Sequence, residues 1–226
     1  MHVHVPKPLH GWRSFAGEVG VIVLGVLIAI ALGQVVETIH WDGQVADARA
    51  LISQDMARSN RSFAFRVAAH DCVAARLAAL DGILEQAVKH EARPLPDEII
   101  PDIGNALPNS AWETSRASQT LAHFDREPLH LYGTYYLQLG NIYTFMSEEV
   151  SDWGVIEVLR GDPNRLGPTD IAGVRVAIKH ASFENDIVAS IAKDELITSR
   201  QLHEPVPQAD RVRLAGVCST IPHDHS

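Results

Sequence analysis

Residues 19–36 form a run of eighteen with a single strongly polar side chain, Gln34, and no other segment restricts the possible folds as much. As a helix the run covers about 27 Å at about 1.5 Å per residue, close to the roughly 30 Å hydrocarbon core of a bilayer. Glu18 and Glu37 bound it, and Trp12 and Trp41 lie just outside, where amphipathic rings favour the headgroup region. Three readings compete. Ala31, Leu32 and Gly33 resemble the small-x-small pattern of a signal cleavage site. Against cleavage, the preceding segment is long, holds Pro6, Pro8, Trp12 and Phe15, and ends on the acid Glu18, where a signal favours positive charge. A buried core helix seldom goes so far without a polar group, so a retained membrane anchor is the favoured reading.

The remainder is large enough for one sizeable core: the chain has 226 residues, 46% of them hydrophobic. Its formal net charge is −9, and with Lys7, Arg13 and Glu18 set aside, 17 basic residues face 27 acidic ones from Gln34 onward. Without any basic cluster, such a portion is a poor partner for nucleic acid or for an anionic lipid surface. Lys7 and Arg13 precede the anchor and only Arg49 follows it closely, which orients the N-terminus inward. The expected layout is a cytoplasmic tail (1–17), a transmembrane helix (18–36), a helical domain outside (37–204), in the periplasm if the source is bacterial, and a polar, proline-broken C-terminal tail (205–226).

The segment GEVGVIVLGVLIAIALGQVVE, followed by an acidic helix opening on HW, resembles the N-terminal signature of uncharacterised single-pass bacterial membrane proteins carrying a domain of unknown function. Those proteins tend to show a downstream tryptophan helix and then a tyrosine-bearing helix, similar to SAWETSRASQTL and LYGTYYLQLGNIY here. The resemblance covers the anchor well and the rest loosely. It implies an inner-membrane protein and supplies no activity.

Beyond the anchor, apolar residues at helical spacing from Val45 to Val88 predict that the membrane helix continues outward to about His90, with a break at Gly43 or Asn60 as an alternative. Pro94, Pro96, Pro101 and Pro108 punctuate a loop. Ser110 to Glu113 read as a capping box that starts a helix presenting Trp112. Asp125 and Pro128 open the next helix, whose stripe is Tyr132, Tyr135, Leu139, Ile142, Met146, Val150 and Trp153. Thr169 or Asp170 caps a last helix bearing Ile171, Val174, Ile178, Ala181, Val188, Ile191 and Leu196. No strand-like alternation of useful length occurs, so the fold class is all-α: one N-terminal transmembrane helix continuing into an antiparallel helical bundle.

Gly25, Ala29 and Gly33 lie four apart and share one helix face, where a second anchor, in a homo-oligomer or from a membrane partner, can approach closely. Cys72 and Cys218 are too far apart for a CxxC site; they form one disulfide if the domain is exported and two buried thiols if it is not. Trp112, Tyr132, Tyr135 and Tyr136 either line a ligand pocket or fill the bundle core, and helical spacing favours the core. Two Glu-x-x-His pairs, Glu37 with His40 and Glu127 with His130, match the spacing of di-metal carboxylate bundles, but composition alone yields about 0.7 such pairs. His2, His4, His223 and His225 sit near the termini, and His70, Asp71 and Cys72 include ligand types; none makes a metal site by spacing. There is no GxSxG, HExxH, SxxK or phosphate-cradling glycine loop, so neither catalytic residue nor cofactor is assigned. The expected role is that of a membrane-tethered interaction or scaffold protein whose partners are the bilayer and other proteins; a ligand-sensing domain is the alternative and a metal-binding bundle a lesser one.

Overall fold

The computed structural model describes residues 11–96, 99–104 and 107–219. They are helical, with no strand among them and one isolated bridge between Leu95 and Gly161. In order the helices are α1 (Gly11–Val88), α2 (Ser110–Ala117), α3 (Arg126–Ile156), α4 (Pro168–Gln201) and α5 (Arg211–Val217), with three short 3₁₀ turns between them. The chain divides into two units, Met1–Asp47 and Ala48–Ser226.

In the first unit, residues 11–40 are helical and every one of them is exposed. A surface helix of a soluble protein keeps its apolar residues to one stripe. This one shows Val21, Ile22, Leu24 and Leu27 on different sides, all more than half exposed. It is the one helix among the described residues long and apolar enough to cross a membrane.

The second unit holds the core. Along its part of α1, Ala69, Val73, Leu77, Leu80 and Leu84 are buried at steps of four and three and meet Trp153, Ile156, Val174, Ile178 and Ala181 from α3 and α4. Cross-helix bonds give the directions. Arg49 holds Asp125, Asn60 meets Tyr135 and Arg66 meets Glu149, so α1 and α3 advance together. Asn60 meets Ser199, His70 meets Asp186 and Glu85 meets Arg175, so α4 runs against α1; the Asp152–His180 contact sets it against α3 as well. An antiparallel order throughout, expected from the sequence, needs a short link from α1 to α3. Here α3 instead begins beside the early part of α1 in this unit, where Asp125 meets Arg49.

α1 passes unbroken through Gly43 and Asn60. Asn60 does not break the helix because its buried amide serves other elements: Oδ1 accepts from Tyr135 and Ser199, and Nδ2 donates to the Pro205 carbonyl. The helix ends at Val88, where His90 takes a left-handed φ of 58° and the His90 and Glu91 N–H groups donate to the Ala87 and Gln86 carbonyls.

Several local expectations are corrected. The capping box at Ser110 does not form: the Asp55 carboxylate of α1 reaches across to accept from Ala111 N (3.0 Å) and Ser110 Oγ (3.4 Å), and Glu113 pairs with Arg116 instead. Gly167, not Thr169 or Asp170, is the N-cap of α4; its N–H donates to the Asp170 side chain (3.0 Å). Val150 is exposed and Glu149 takes the buried position beside it, because Arg66 waits there. Within the polar, proline-broken C-terminal segment lies a short helix that the sequence did not suggest: Asp210 caps α5 by accepting from Val212 N and Arg213 N, and Val217 is buried in the core. Arg76 donates to the carbonyls of Ile99, Val217 and Ser219, and a Cys72–Cys218 disulfide ties the same segment to α1.

Candidate functional site

Polar layers interrupt the apolar core of the second unit. In the first, Tyr135 OH and Ser199 Oγ donate to Asn60 Oδ1 at 3.0 and 2.9 Å, while Tyr132 OH donates to Glu204 at 3.1 Å. Burial, with Glu204 beside it, pushes Tyr132 up to about 12; burial also raises Tyr135 and Tyr136, so all three are neutral, and Tyr132 and Tyr135 serve as donors. Glu195, only 2% exposed and with Oε2 unpartnered in the protein, is pushed up to about 8 by burial and by Asp194.

In the second layer Arg66 Nη2 donates to Glu149 Oε2 at 2.7 Å and to Asn185 Oδ1 at 3.4 Å, and Asn185 donates to the His70 carbonyl. Both charged side chains are 1% exposed. Burial raises Glu149 above the ordinary carboxylate range and the Arg66 charge offsets this only in part.

Next to this pair, Asp152 from α3 meets His180 and Glu184 from α4. His180 and Glu184 are four apart, so their side chains leave one face of the helix. His180 Nδ1 lies 3.1 Å from Asp152 Oδ2 and 3.6 Å from Glu184 Oε1, and one ligand atom from each residue lies within 4.8 Å of the other two. The three are graded in depth: His180 is exposed, Asp152 partly covered and Glu184 buried. Burial, then Asp152, then the charges of Glu148 and Glu149 push Glu184 up to about 8.

None of these three stands out in the sequence, although Glu184, like Glu149 beside the cluster, carries a signal. Glu149 falls three after Met146 and four before Trp153, and Glu184 falls three after Ala181 and four before Val188, so each acid holds a core position in an apolar stripe. The residues that were singled out are placed as follows. Gly25, Ala29 and Gly33 are exposed on α1, and a Cβ built at Gly25 or Gly33 meets nothing within 4 Å. Trp112, Tyr132, Tyr135 and Tyr136 come together: Trp112 stacks on Tyr136 at 4.9 Å and 9°, and Tyr135 meets Tyr136 edge-on at 5.4 Å. Glu37 and His40 are exposed in the first unit, and Glu127 and His130 are exposed at the start of α3. Cys72 is taken by the disulfide, and His70 bridges Asp71 (2.7 Å) and Asp186 (2.8 Å). His2, His4, His223 and His225 lie outside the described residues.

Comparison with protein families, with curated proteins and with solved structures finds no match to this chain in any of the three. The reading of its function therefore rests on its own residues.

Proposed function

We propose that the chain is a single-pass membrane protein acting as an interaction or scaffold element. Residues 18–36 cross the bilayer, residues 1–17 stay in the cytoplasm, and the helical domain that follows folds on the far side, in the periplasm of a bacterium. One observation carries this reading: residues 19–36 expose apolar side chains all round the helix, whereas the apolar stripes of α3 and α4 are covered. In water such a surface is unfavourable by about 25 cal/mol per Å², and lipid removes that penalty. The Cys72–Cys218 bond supports an oxidising compartment for the domain.

The open Gly25, Ala29, Gly33 face is the place where a second anchor fits, as a homo-oligomer or with another membrane protein. The alternative, an aromatic-lined sensing pocket, needs space between Trp112, Tyr132, Tyr135 and Tyr136. Stacking of Trp112 on Tyr136 favours packing over a pocket.

The test is cross-linking in native membranes, with alkaline phosphatase, which folds only where disulfides form, fused after the last residue to report orientation. An active fusion and a cross-linked species weakened by Gly25→Leu and Ala29→Leu are expected. An inactive fusion overturns the orientation, and cross-linking indifferent to both substitutions overturns the association face.

A further inference from the structure

We propose that Asp152, His180 and Glu184 form a binding site for a divalent transition-metal ion of the zinc or manganese class. The site stands apart from the membrane reading, since it lies wholly within the second unit.

Geometry comes first. Around an ion with bonds of about 2.1 Å, ligand atoms of a tetrahedral shell lie about 3.4 Å from one another. The two distances from His180 Nδ1, 3.1 Å to Asp152 and 3.6 Å to Glu184, fall on either side of that value. His180 and Glu184 come from adjacent turns of one helix and Asp152 from its antiparallel neighbour. The ion would therefore join α3 to α4 with ligands already facing each other.

The second observation is independent of the distances. Glu184 is 1% exposed, and among the described residues neither carboxylate oxygen makes a hydrogen bond of normal length; His180 Nδ1 lies 3.6 Å away and the Asp152 carboxylate crowds it from the other side. A buried carboxylate without a partner is costly and is found paired, protonated or on a metal. No Lys or Arg pairs with Glu184 or Asp152 among the described residues; Arg66, the buried cation nearby, is committed to Glu149 and Asn185. Its other neighbours Glu148 and Glu149 are acids that add negative charge. Among the described residues the one basic side chain against both carboxylates is His180, so no permanent cation stands where they converge, and a divalent ion supplies that charge.

The donor set selects the ion. One imidazole nitrogen and two carboxylate oxygens, without thiolate, suit Zn²⁺ or Mn²⁺ better than a soft ion, and three protein ligands are few for Ca²⁺, which takes six to eight oxygens. His180 is 62% exposed, so the ion enters from solvent and keeps water in its remaining positions.

The test uses the full-length protein in mild detergent, purified without a histidine tag and with His2, His4, His223 and His225 changed to Ala to silence the terminal imidazoles. After stripping with chelator it is titrated calorimetrically with ZnCl₂, MnCl₂ and CaCl₂, and metal content and melting temperature are measured. One equivalent per chain and a raised melting temperature are expected. Asp152→Asn, His180→Ala and Glu184→Gln should each weaken binding by roughly tenfold or more and abolish the thermal shift. Glu184→Gln relieves a buried charge and keeps the side-chain shape, so it reports on binding even if another variant misfolds. Substoichiometric binding, or binding unchanged in Glu184→Gln and His180→Ala, means an adventitious ion only and overturns the site. Equal affinity for CaCl₂ overturns the assignment of the ion.

Discussion

Replacing Arg66 by Met removes the charged partner of a carboxylate that is 1% exposed and bonded to it at 2.7 Å. Glu149 Oε1 already lacks a partner, and burial holds its pKa up even with the guanidinium in place. Arg66→Met should therefore cost about 3–5 kcal/mol of unfolding free energy at pH 7.5. Glu149→Leu should cost a similar amount, since it strands a guanidinium whose Nε and Nη1 are also unpartnered. The double variant Arg66→Met/Glu149→Leu fills the same space with apolar atoms and should lie near the wild type or above it, because such swaps are often neutral or stabilising by about 1–4 kcal/mol. The coupling then exceeds about 3 kcal/mol. Urea unfolding of the full chain in mild detergent, followed by tryptophan fluorescence and far-ultraviolet circular dichroism, measures it. In Arg66→Met the deficit should shrink at pH 4.5, because the stranded Glu149 binds a proton there and the buried charge disappears. Single costs that add in the double variant to within about 0.5 kcal/mol would refute this account of the layer.

Three further outcomes follow from the same polar groups and from the disulfide. Glu195 rises from an ordinary 4.5 to about 8 on folding, so its buried charge destabilises progressively as pH climbs between those values and not at all below them; Glu195→Gln should stabilise by about 1–3 kcal/mol at pH 8.5 and by almost nothing at pH 4, read by urea midpoints. His70 is raised above 6.5, first by its bond to Asp186 and then by that to Asp71, so it stabilises fully below pH 6.5 and loses this as pH rises through the folded value; His70→Ala should cost about 0.2–1 kcal/mol at pH 5.5 and close to nothing at pH 9 in the same assay. The Cys72–Cys218 bond closes a sequence separation of 146 residues, so Cys72→Ala/Cys218→Ala should lower stability by about 2–4 kcal/mol, and a reductant should do the same to the wild type and nothing further to the variant.

The long apolar N-terminal helix was readable because an apolar run is a property of the chain itself and needs no partner. The stripes of α1, α3 and α4 were readable for a related reason: burial on one face imposes a period, and Tyr135, Leu139, Ile142 and Trp153 keep it. The same reasoning misled at Val150, where an apolar residue was preferred to the Glu149 beside it. Periodicity counts a charge as surface, and the cation that makes Glu149 a core residue lies 83 positions away in the sequence. Ser110 shows the converse failure, a sound local signal overridden when Asp55 arrives from α1 to engage the Ser110 hydroxyl and the Ala111 N–H, while the Glu113 N–H goes to the Asn109 carbonyl. Asp152, His180 and Glu184 were hidden for both reasons, being charges on two helices whose relative direction only the long-range contacts reveal. α5 was missed because seven residues carry too short a pattern to stand out from a polar tail.

Cys72 lies in the first long helix, and its partner, Cys218, follows 146 residues later. At about 5–20 residues per second, synthesis needs about 7–30 s to supply the intervening chain. For that interval Cys72 is the sole thiol made, open to mixed disulfides, and a product that stops short of α5 keeps it reactive. The bond is thus also a covalent record that the domain was completed, and a thiol-specific label would tell finished molecules from unfinished ones.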